Sequence, residues 1–473
     1  MSRILMVASE ATPFCKTGGL ADVLGALPPA LKGRGEDVAV VLPRYRSVSL
    51  DGARRAAQNF PLWIGPGRYA ADIYVVERKG VPYYLVECPE FFDRDGLYGS
   101  GGADYWDNHT RFAALCHAAL GIARHLFRPQ VIHCHDWQAG LLPVYLKNYF
   151  ASDPTFAGVR TVFTIHNLGY QGNITKDKLF WLGLPDWLSR EDLLEFHGNI
   201  SLLKGGIVYS DFLTTVSPTY ANEIQTPDQG FGLDGLLRAR HRQLTGILNG
   251  VDYAEWNPET DTKIAERFSA TNPAGKAACK LDLLRTMGLP EDRLDVPVVG
   301  IVSRLATQKG FDLIAQVAYD LVNWDIKLVV LGSGEAQYES LFRALAQARP
   351  DKFAVRIAYD DTLAHKIEAG SDMFLMPSRY EPCGLNQMYS LRYGTVPVVH
   401  ATGGLDDTIE QSTGFKFRPY SGDAMLGALR EALTVYWLEP DRWKALMAEG
   451  MRRDYSWNAS ADAYSRLYRS LLD

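Results

Sequence analysis

Residues 374–408 read FLMPSRYEPCGLNQMYSLRYGTVPVVHATGGLDDT, and the fold turns on this stretch. The apolar run Phe374–Met376 reads as a buried strand and stops at Pro377. A tight turn carrying Glu381, Pro382, Cys383 and Gly384 comes next. A helical stretch follows, then a second apolar strand over Val396–Val399 and a Gly403-Gly404 loop. A strand–turn–helix–strand unit sends its turn to the carboxyl edge of a parallel sheet, where ligands bind. There the helix amino terminus offers unpaired N–H groups and a partial positive charge, which suits a phosphate. Glu381 stands just ahead of that anion site. A carboxylate beside a phosphate site is fit to hold a sugar together with a diphosphate leaving group. The plain alternative is a surface Glu followed by a helix-starting Pro, and the rest of the chain decides between them.

The same alternation runs outward from this unit in both directions. In the first half, strands are expected at Ile4–Ala8, Val38–Leu42, Ile73–Val76, Tyr83–Val86, Val131–Cys134, Val162–Ile165 and Phe212–Val216, with helices over Leu20–Gly33 and Thr110–Leu126. Asn249-Gly250 and the polar stretch 257–276 interrupt the pattern. It restarts with strands at Val298–Ser303, Leu328–Leu331, Val355–Ala358, Met373–Met376 and Val396–Val399. Strands alternating with helices imply βαβ units on parallel sheets. The class is therefore α/β, with two doubly wound domains whose open edges are expected to face each other across a cleft. The boundaries read as 1–243 and 244–454, followed by a terminal helix over 455–473 with Trp457, Tyr464, Leu467 and Leu471 on one face.

A length of 473 residues fits two domains better than one core. The 47% hydrophobic and 22% charged content is that of a soluble globular protein. A net charge of −6 without any basic run gives no electrostatic case for nucleic acid or an anionic membrane. No apolar stretch approaches the ~18 residues that span a bilayer. The opening MSRILMVASE reads as a first strand, not a signal peptide. Cysteines 15, 88, 116, 134, 279 and 383 lack CxxC spacing, so reduced thiols in a cytoplasmic protein are expected.

Several post-strand loops carry groups suited to a ligand. Lys16-Thr17-Gly18-Gly19-Leu20 opens a helix after the first strand, with two glycines for close backbone approach and one cation. It lacks the spacing of a Walker A loop, and Gly332-Ser333-Gly334 lacks the third glycine of a dinucleotide fingerprint. Arg304 and Lys309 follow the strand at 298–303, and both can reach one anion. Fixed cations stabilise the charge that develops on a departing diphosphate. His133-Cys134-His135-Asp136-Trp137 ends another strand, where Asp136 can bind sugar hydroxyls and Trp137 can stack on a sugar face. A metal role for HxHD lacks a third ligand nearby, and Asp93-Arg94-Asp95 suits a turn better than a metal site. His166-Asn167 closes the strand at 162–165. Each of these has a structural alternative: a solvated lysine, exposed loop cations, a packed histidine.

Taken together, the chain resembles the bacterial glycogen synthases and their plant starch synthase relatives, over essentially its whole length. The resemblance rests on KTGGLADV (16–23), HDWQ (135–138), TIHN (164–167), ILNGVD (247–252), SRLATQKG (303–310), PSRYEPCGLNQ (377–387) and TGGLDDT (402–408). It implies the GT-B architecture with a terminal helix that crosses back to the first domain. It also implies glucose transfer from ADP-glucose to the non-reducing end of glycogen or another α-1,4-glucan, with retention, no metal and no cofactor. By resemblance Lys16, Gly18 and Gly19 cradle the donor diphosphate. Arg304 and Lys309 clamp it, with amides near Gly384 and Leu385 beside Cys383. Tyr359 is a platform for adenine, Glu381 binds glucose hydroxyls, and His166 contacts the sugar near its 6-hydroxyl. Asp136, Asn167 and Asn249 orient donor or acceptor, and Tyr98 approaches the same pocket. Gln138 stands where some relatives have His. Open alternatives are a transferase of the same architecture with another nucleotide sugar, a two-domain sugar-binding protein and, least of all, a nicotinamide oxidoreductase.

Overall fold

The strands form where apolar runs such as Val38–Leu42 and Val396–Val399 can be covered on both faces, as parallel sheets require. The computed structural model describes residues 1–473. The chain divides into two units, one of residues 1–216, 221–250 and 457–473, the other of residues 217–220 and 251–456.

The first unit is built on a nine-stranded sheet. Its strands are β1 (Arg3–Val7), β2 (Asp37–Pro43), β3 (Arg54–Ile64), β4 (Gly67–Arg78), β5 (Val81–Glu87), β6 (Val131–His135), β7 (Arg160–Ile165), β8 (Phe212–Thr215) and β9 (Leu244–Gly246). Their order is β9-β8-β7-β6-β1-β2-β5-β4-β3. The chain runs from β1 to β2 on one side and later to β6 on the other. The topological switch point therefore lies between β1 and β6, where Met6 pairs with His133 and Val7 with Cys134. Helix α1 (Gly19–Gly33) follows β1, and α2 (Asn108–Ile122) precedes β6.

Two expectations for this unit change. The segments at 73–76 and 83–86 are not successive strands of a βαβ unit: β4 and β5 are antiparallel, and β3 adds a second antiparallel strand at the edge. Only Lys79 and Gly80 separate β4 from β5, both at positive φ, 49° and 77°. That is a two-residue hairpin, with Lys in a place where Asn or Asp would have announced it. The sheet does not close at β8 either, since residues 244–246 pair in parallel with β8 as β9. The compact units part after Gly250.

The second unit holds a fully parallel six-stranded sheet. It comprises β10 (Val298–Val302), β11 (Lys327–Leu331), β12 (Phe353–Arg356), β13 (Met373–Met376), β14 (Val396–His400) and β15 (Phe415–Phe417), ordered β12-β11-β10-β13-β14-β15. Strand β12 lies at 353–356 and not at 355–358, and β15 extends the series beyond β14. The switch point here lies between β10 and β13. Helix α3 (Asn386–Arg392) and α4 (Gly403–Thr408) follow β13 and β14.

The last helix, α5 (Trp457–Leu472), belongs to the first unit. Its buried face is Trp457, Ala461, Tyr464 and Tyr468, while Leu467 and Leu471 are only half-buried. The face is rotated from the expected one because Tyr468 reaches inward to His133, its hydroxyl 2.7 Å from Nδ1. Arg469 pairs with the buried Glu36 at 2.9 Å. All six cysteines are buried and none forms a disulfide. No helix is long and apolar enough to cross a membrane.

Candidate active site

The chemistry-bearing loops of each unit leave the carboxyl ends of strands at or near its switch point. In the second unit the loop after β10 carries Arg304 and Lys309, and the loop after β13 carries Ser378 and Glu381. Lys309 Nζ lies 2.6 Å from Glu381 Oε2, which also accepts from Ser378 Oγ at 2.9 Å. The Glu381 side chain is 7% exposed and that of Lys309 19%. Two charges so far from water persist only as a hydrogen-bonded pair. The loops are tied further by Arg379 N donating to Gln308 O at 2.9 Å and Asn386 Nδ2 to Val302 O at 2.7 Å.

Gly403 and Gly404 brace this turn from behind. A Cβ on Gly403 would stand 1.9 Å from Glu381 O, and one on Gly404 2.0 Å from Cys383 O. The TGG segment is therefore the floor of the Glu381 turn, needed for close backbone approach. Helix α3 starts at Asn386, so residues 382–385 intervene and Glu381 is farther from the helix end than its expected place directly ahead. Cys383 is buried, and Gly384 and Leu385 are half-buried at the turn. Arg304 is exposed, with Nη2 3.4 Å from Gln308 Oε1. Tyr359, between β12 and the helix at 361–370, is 80% exposed.

In the first unit, three neighbouring strands contribute. After β1 comes Glu10, after β6 Asp136 and Trp137, after β7 His166 and Asn167. Asp136 Oδ1 accepts from His166 N at 2.7 Å, and the Asn167 amide helps hold the same carboxylate. Asp136 keeps part of its surface open, yet burial in the strand edge dominates and pushes its carboxyl up to about 7, against those two amides. Its backbone is left-handed, φ 56°. Strain of this kind at a non-glycine residue gathers at functional positions. His166 Nε2 is 2.9 Å from His135 Nδ1. Burial drives His166 down to about 3, so the ring is neutral. Asn167 Oδ1 accepts from Gly169 N at 3.0 Å. One face of Trp137 is covered, since a Cβ on Gly172 would meet its ring at 2.5 Å. Asn249 is buried with its Oδ1 unbonded.

The glycine loop is organised by a residue that the motif reading missed. The carboxylate of Glu10, 3% exposed, accepts from Thr17 N, from Thr17 Oγ1 at 2.7 Å, from Gly18 N at 3.3 Å and from the Tyr98 hydroxyl. Tyr98 also bonds Ser9 Oγ at 2.7 Å. A carboxylate directly after the first strand was the signal that could have revealed Glu10. Lys16 pairs with Asp22 at 2.7 Å. A Cβ on Gly18 or Gly19 would meet nothing within 4 Å, and Gly18 has an extended backbone, φ −158°. Neither packing nor backbone demands glycine here.

Two clusters with metal-like composition are filled by protein cations. Glu255, Asp361 and His365 present atoms within 4.8 Å of one another. Lys263 Nζ lies among them, 2.5 Å from Asp361 and 3.1 Å from His365 Nε2. Asp93 and Asp95 share Arg46, at 2.8 and 2.5 Å. The HxHD histidines are packed as well: the rings of His133 and His135 lie 4.1 Å apart.

Residues 3–239 match the family model described as starch synthase catalytic domain, and residues 290–445 match glycosyl transferases group 1. The glycogen synthase of Koribacter versatilis is 53% identical over 98% of this chain and 97% of its own. That of Anaeromyxobacter sp. (strain Fw109-5) is 52% identical over 99% of both. The chain belongs to the glycogen and starch synthase family. Among solved structures, the catalytic domain of starch synthase IV from Arabidopsis thaliana, bound to ADP and acarbose, is similar with a TM-score of 0.92 at 32% identity, covering 100% of this chain and 99% of that one. Sucrose-phosphate synthase from Thermosynechococcus elongatus shares the fold, with a TM-score of 0.60 at 17% identity. As a glycogen and starch synthase family member the chain is a glycosyltransferase of the GT-B fold, its first unit carrying a mostly parallel doubly wound sheet with an antiparallel edge and its second a fully parallel one.

Proposed function

We propose that the protein transfers glucose from ADP-glucose to the non-reducing end of glycogen or another α-1,4-glucan, retaining the anomeric configuration and using no metal. The observation that carries this reading is the Lys309–Glu381 pair at the switch point of the second unit. It sets a cation for a leaving phosphate beside a carboxylate for sugar hydroxyls. The relative bound to ADP and acarbose adds a nucleoside diphosphate and an oligosaccharide mimic in a structure 32% identical.

In this reading the second unit holds the nucleotide-sugar donor, and the first supplies the acceptor side and the glycine loop. Arg304 and Lys309 neutralise the diphosphate, joined by amides at Gly384 and Leu385 next to Cys383. Tyr359 stacks on adenine. Glu381 binds glucose hydroxyls. Its Oε2 is already shared by Lys309 and Ser378, which favours a binding role over attack on the anomeric carbon. In the first unit His166 meets the 6-hydroxyl, while Asp136, Asn167, Asn249 and Trp137 orient sugar rings. Lys16, Gly18 and Gly19 meet the diphosphate, with Tyr98 beside them.

The reaction follows from charge. The C1–O bond to the phosphate breaks, and Arg304 and Lys309 stabilise the departing ADP. The acceptor 4-hydroxyl bonds to C1 from the face that ADP leaves, and its proton passes to the leaving phosphate oxygen. Double displacement would instead need a carboxylate close to C1.

The test is ADP release by the full chain with glycogen, from ADP-glucose or UDP-glucose, with and without EDTA. Glycogen-dependent release from ADP-glucose, unaffected by EDTA, and an α-linked product are expected. Release from UDP-glucose alone, or only with added metal, would overturn the donor or the mechanism.

A further inference from the structure

We propose that His135 is a positioning residue that fixes the tautomer of His166, so that His166 presents an Nδ1–H donor to its ligand. His135 ends β6 and His166 follows β7, which pair in parallel with His135 opposite Thr164. Their rings meet through one contact, His135 Nδ1 to His166 Nε2, at 2.9 Å.

Two neutral imidazoles in that contact share one proton. Burial pushes His135 well below its ordinary value and His166 down to about 3, so neither ring is charged near neutral pH. Two arrangements remain. In one, His166 Nε2–H donates to His135 Nδ1, and the His135 proton must then sit on Nε2. In the other, His135 Nδ1–H donates to His166 Nε2, His135 Nε2 is a bare lone pair, and His166 carries its proton on Nδ1.

The far nitrogen of His135 decides between them. His135 is 0% exposed, and its Nε2 has no hydrogen-bond partner. The first arrangement would bury an N–H with nothing to accept it. The second buries only an unused lone pair. Orphaned buried N–H groups are rarer than under-used acceptors, so the second arrangement holds. His133 cannot change the outcome, because its own nitrogens are engaged by Tyr468 and Thr164.

The consequence at the sugar rests on the glucosyl-transfer reading: the 6-hydroxyl oxygen would accept from His166 Nδ1–H. The tautomer itself does not rest on it. The experiment is nitrogen–proton correlation spectroscopy of the full chain with 15N-labelled histidine. The two-bond coupling pattern separates Nδ1–H from Nε2–H rings, and His166→Ala identifies the signal. His166 in the Nδ1–H form is expected, and an Nε2–H signal would overturn the proposal. In His135→Phe the signal should move toward Nε2–H, and kcat/KM for ADP-glucose should fall about tenfold, the usual worth of one well-placed hydrogen bond. His135→Asn places an amide N–H near the Nδ1 position, so it should retain the Nδ1–H signal and most of the activity. Equal losses in the two variants would mean a packing role alone and overturn the proposal. Should neither variant fold, the wild-type spectrum decides. An inactive chain with Nδ1–H His166 would overturn the transfer reading and leave the tautomer assignment standing.

Discussion

Gly18→Ala separates the needs of the fold from those of the ligand. The Gly18 backbone is extended, φ −158° and ψ −169°, which alanine adopts freely. Its Cβ would meet nothing within 4 Å, and the Gly18 N–H can keep its 3.3 Å bond to Glu10. Loss of glycine's freedom in the unfolded chain should then stabilise the protein by about 0.4–1 kcal/mol, a rise of roughly 1–4 °C in Tm. Activity should move the other way. A methyl group in space kept for the diphosphate displaces the donor, and misplacement by ~1 Å costs on the order of 10²-fold in rate. Gly310→Ala is the converse control. There φ is +78° and a Cβ would stand 1.9 Å from Pro377 O, so stability should fall with activity. Thermal unfolding and kcat/KM for ADP-glucose, measured on both variants, check the pair. A Gly18→Ala protein with raised Tm and wild-type kcat/KM would refute the reasoning, because the open space would then serve no ligand.

Lys309→Ala should lower Tm as well as kcat, since it strands Glu381, 5% exposed, without its cation. Lys309→Met with Glu381→Gln should recover Tm and not activity, and calorimetry beside kinetics reads both. An unchanged Tm in the single variant would contradict the pair's structural weight. Asp136 titrates at about 7 in the folded chain against 3.8 ordinarily. Activity should fall as pH drops through about 7 and the carboxylate takes a proton. Because the folded state holds this proton more tightly, its contribution to stability declines from about pH 4 to about 7 and is flat above. Asp136→Asn should remove both slopes, as pH–rate and pH–Tm profiles would register. Tyr359→Ala should leave Tm unchanged, since the ring is 80% exposed. Its KM for ADP-glucose should rise roughly tenfold, as stacking on a base contributes ~1–3 kcal/mol, and an unchanged KM would remove Tyr359 from the adenine site.

Sequence alone determined the periodic parts of this protein and the loops that matter. Buried parallel strands must be unbroken apolar runs, so β1, β2, β6, β7, β10, β11, β13 and β14 were legible, as were α1 and the terminal helix. The rule that ligands meet the carboxyl ends of such strands singled out Lys16, Asp136, His166, Arg304, Lys309 and Glu381 before any coordinate. Tertiary structure decided what those residues touch. The Lys79-Gly80 hairpin was hidden because the positive φ at Lys79 is imposed by strand pairing, not announced by residue type. The face of α5 turned toward Tyr468 because His133, distant in sequence, supplies its partner. Glu10 looked like any surface carboxylate, and only folding gathers Thr17, Gly18 and Tyr98 around it. Periodicity reports burial, which is local and repetitive. Hydrogen-bond partnership joins positions without sequence spacing, and only the folded chain brings them within bonding distance.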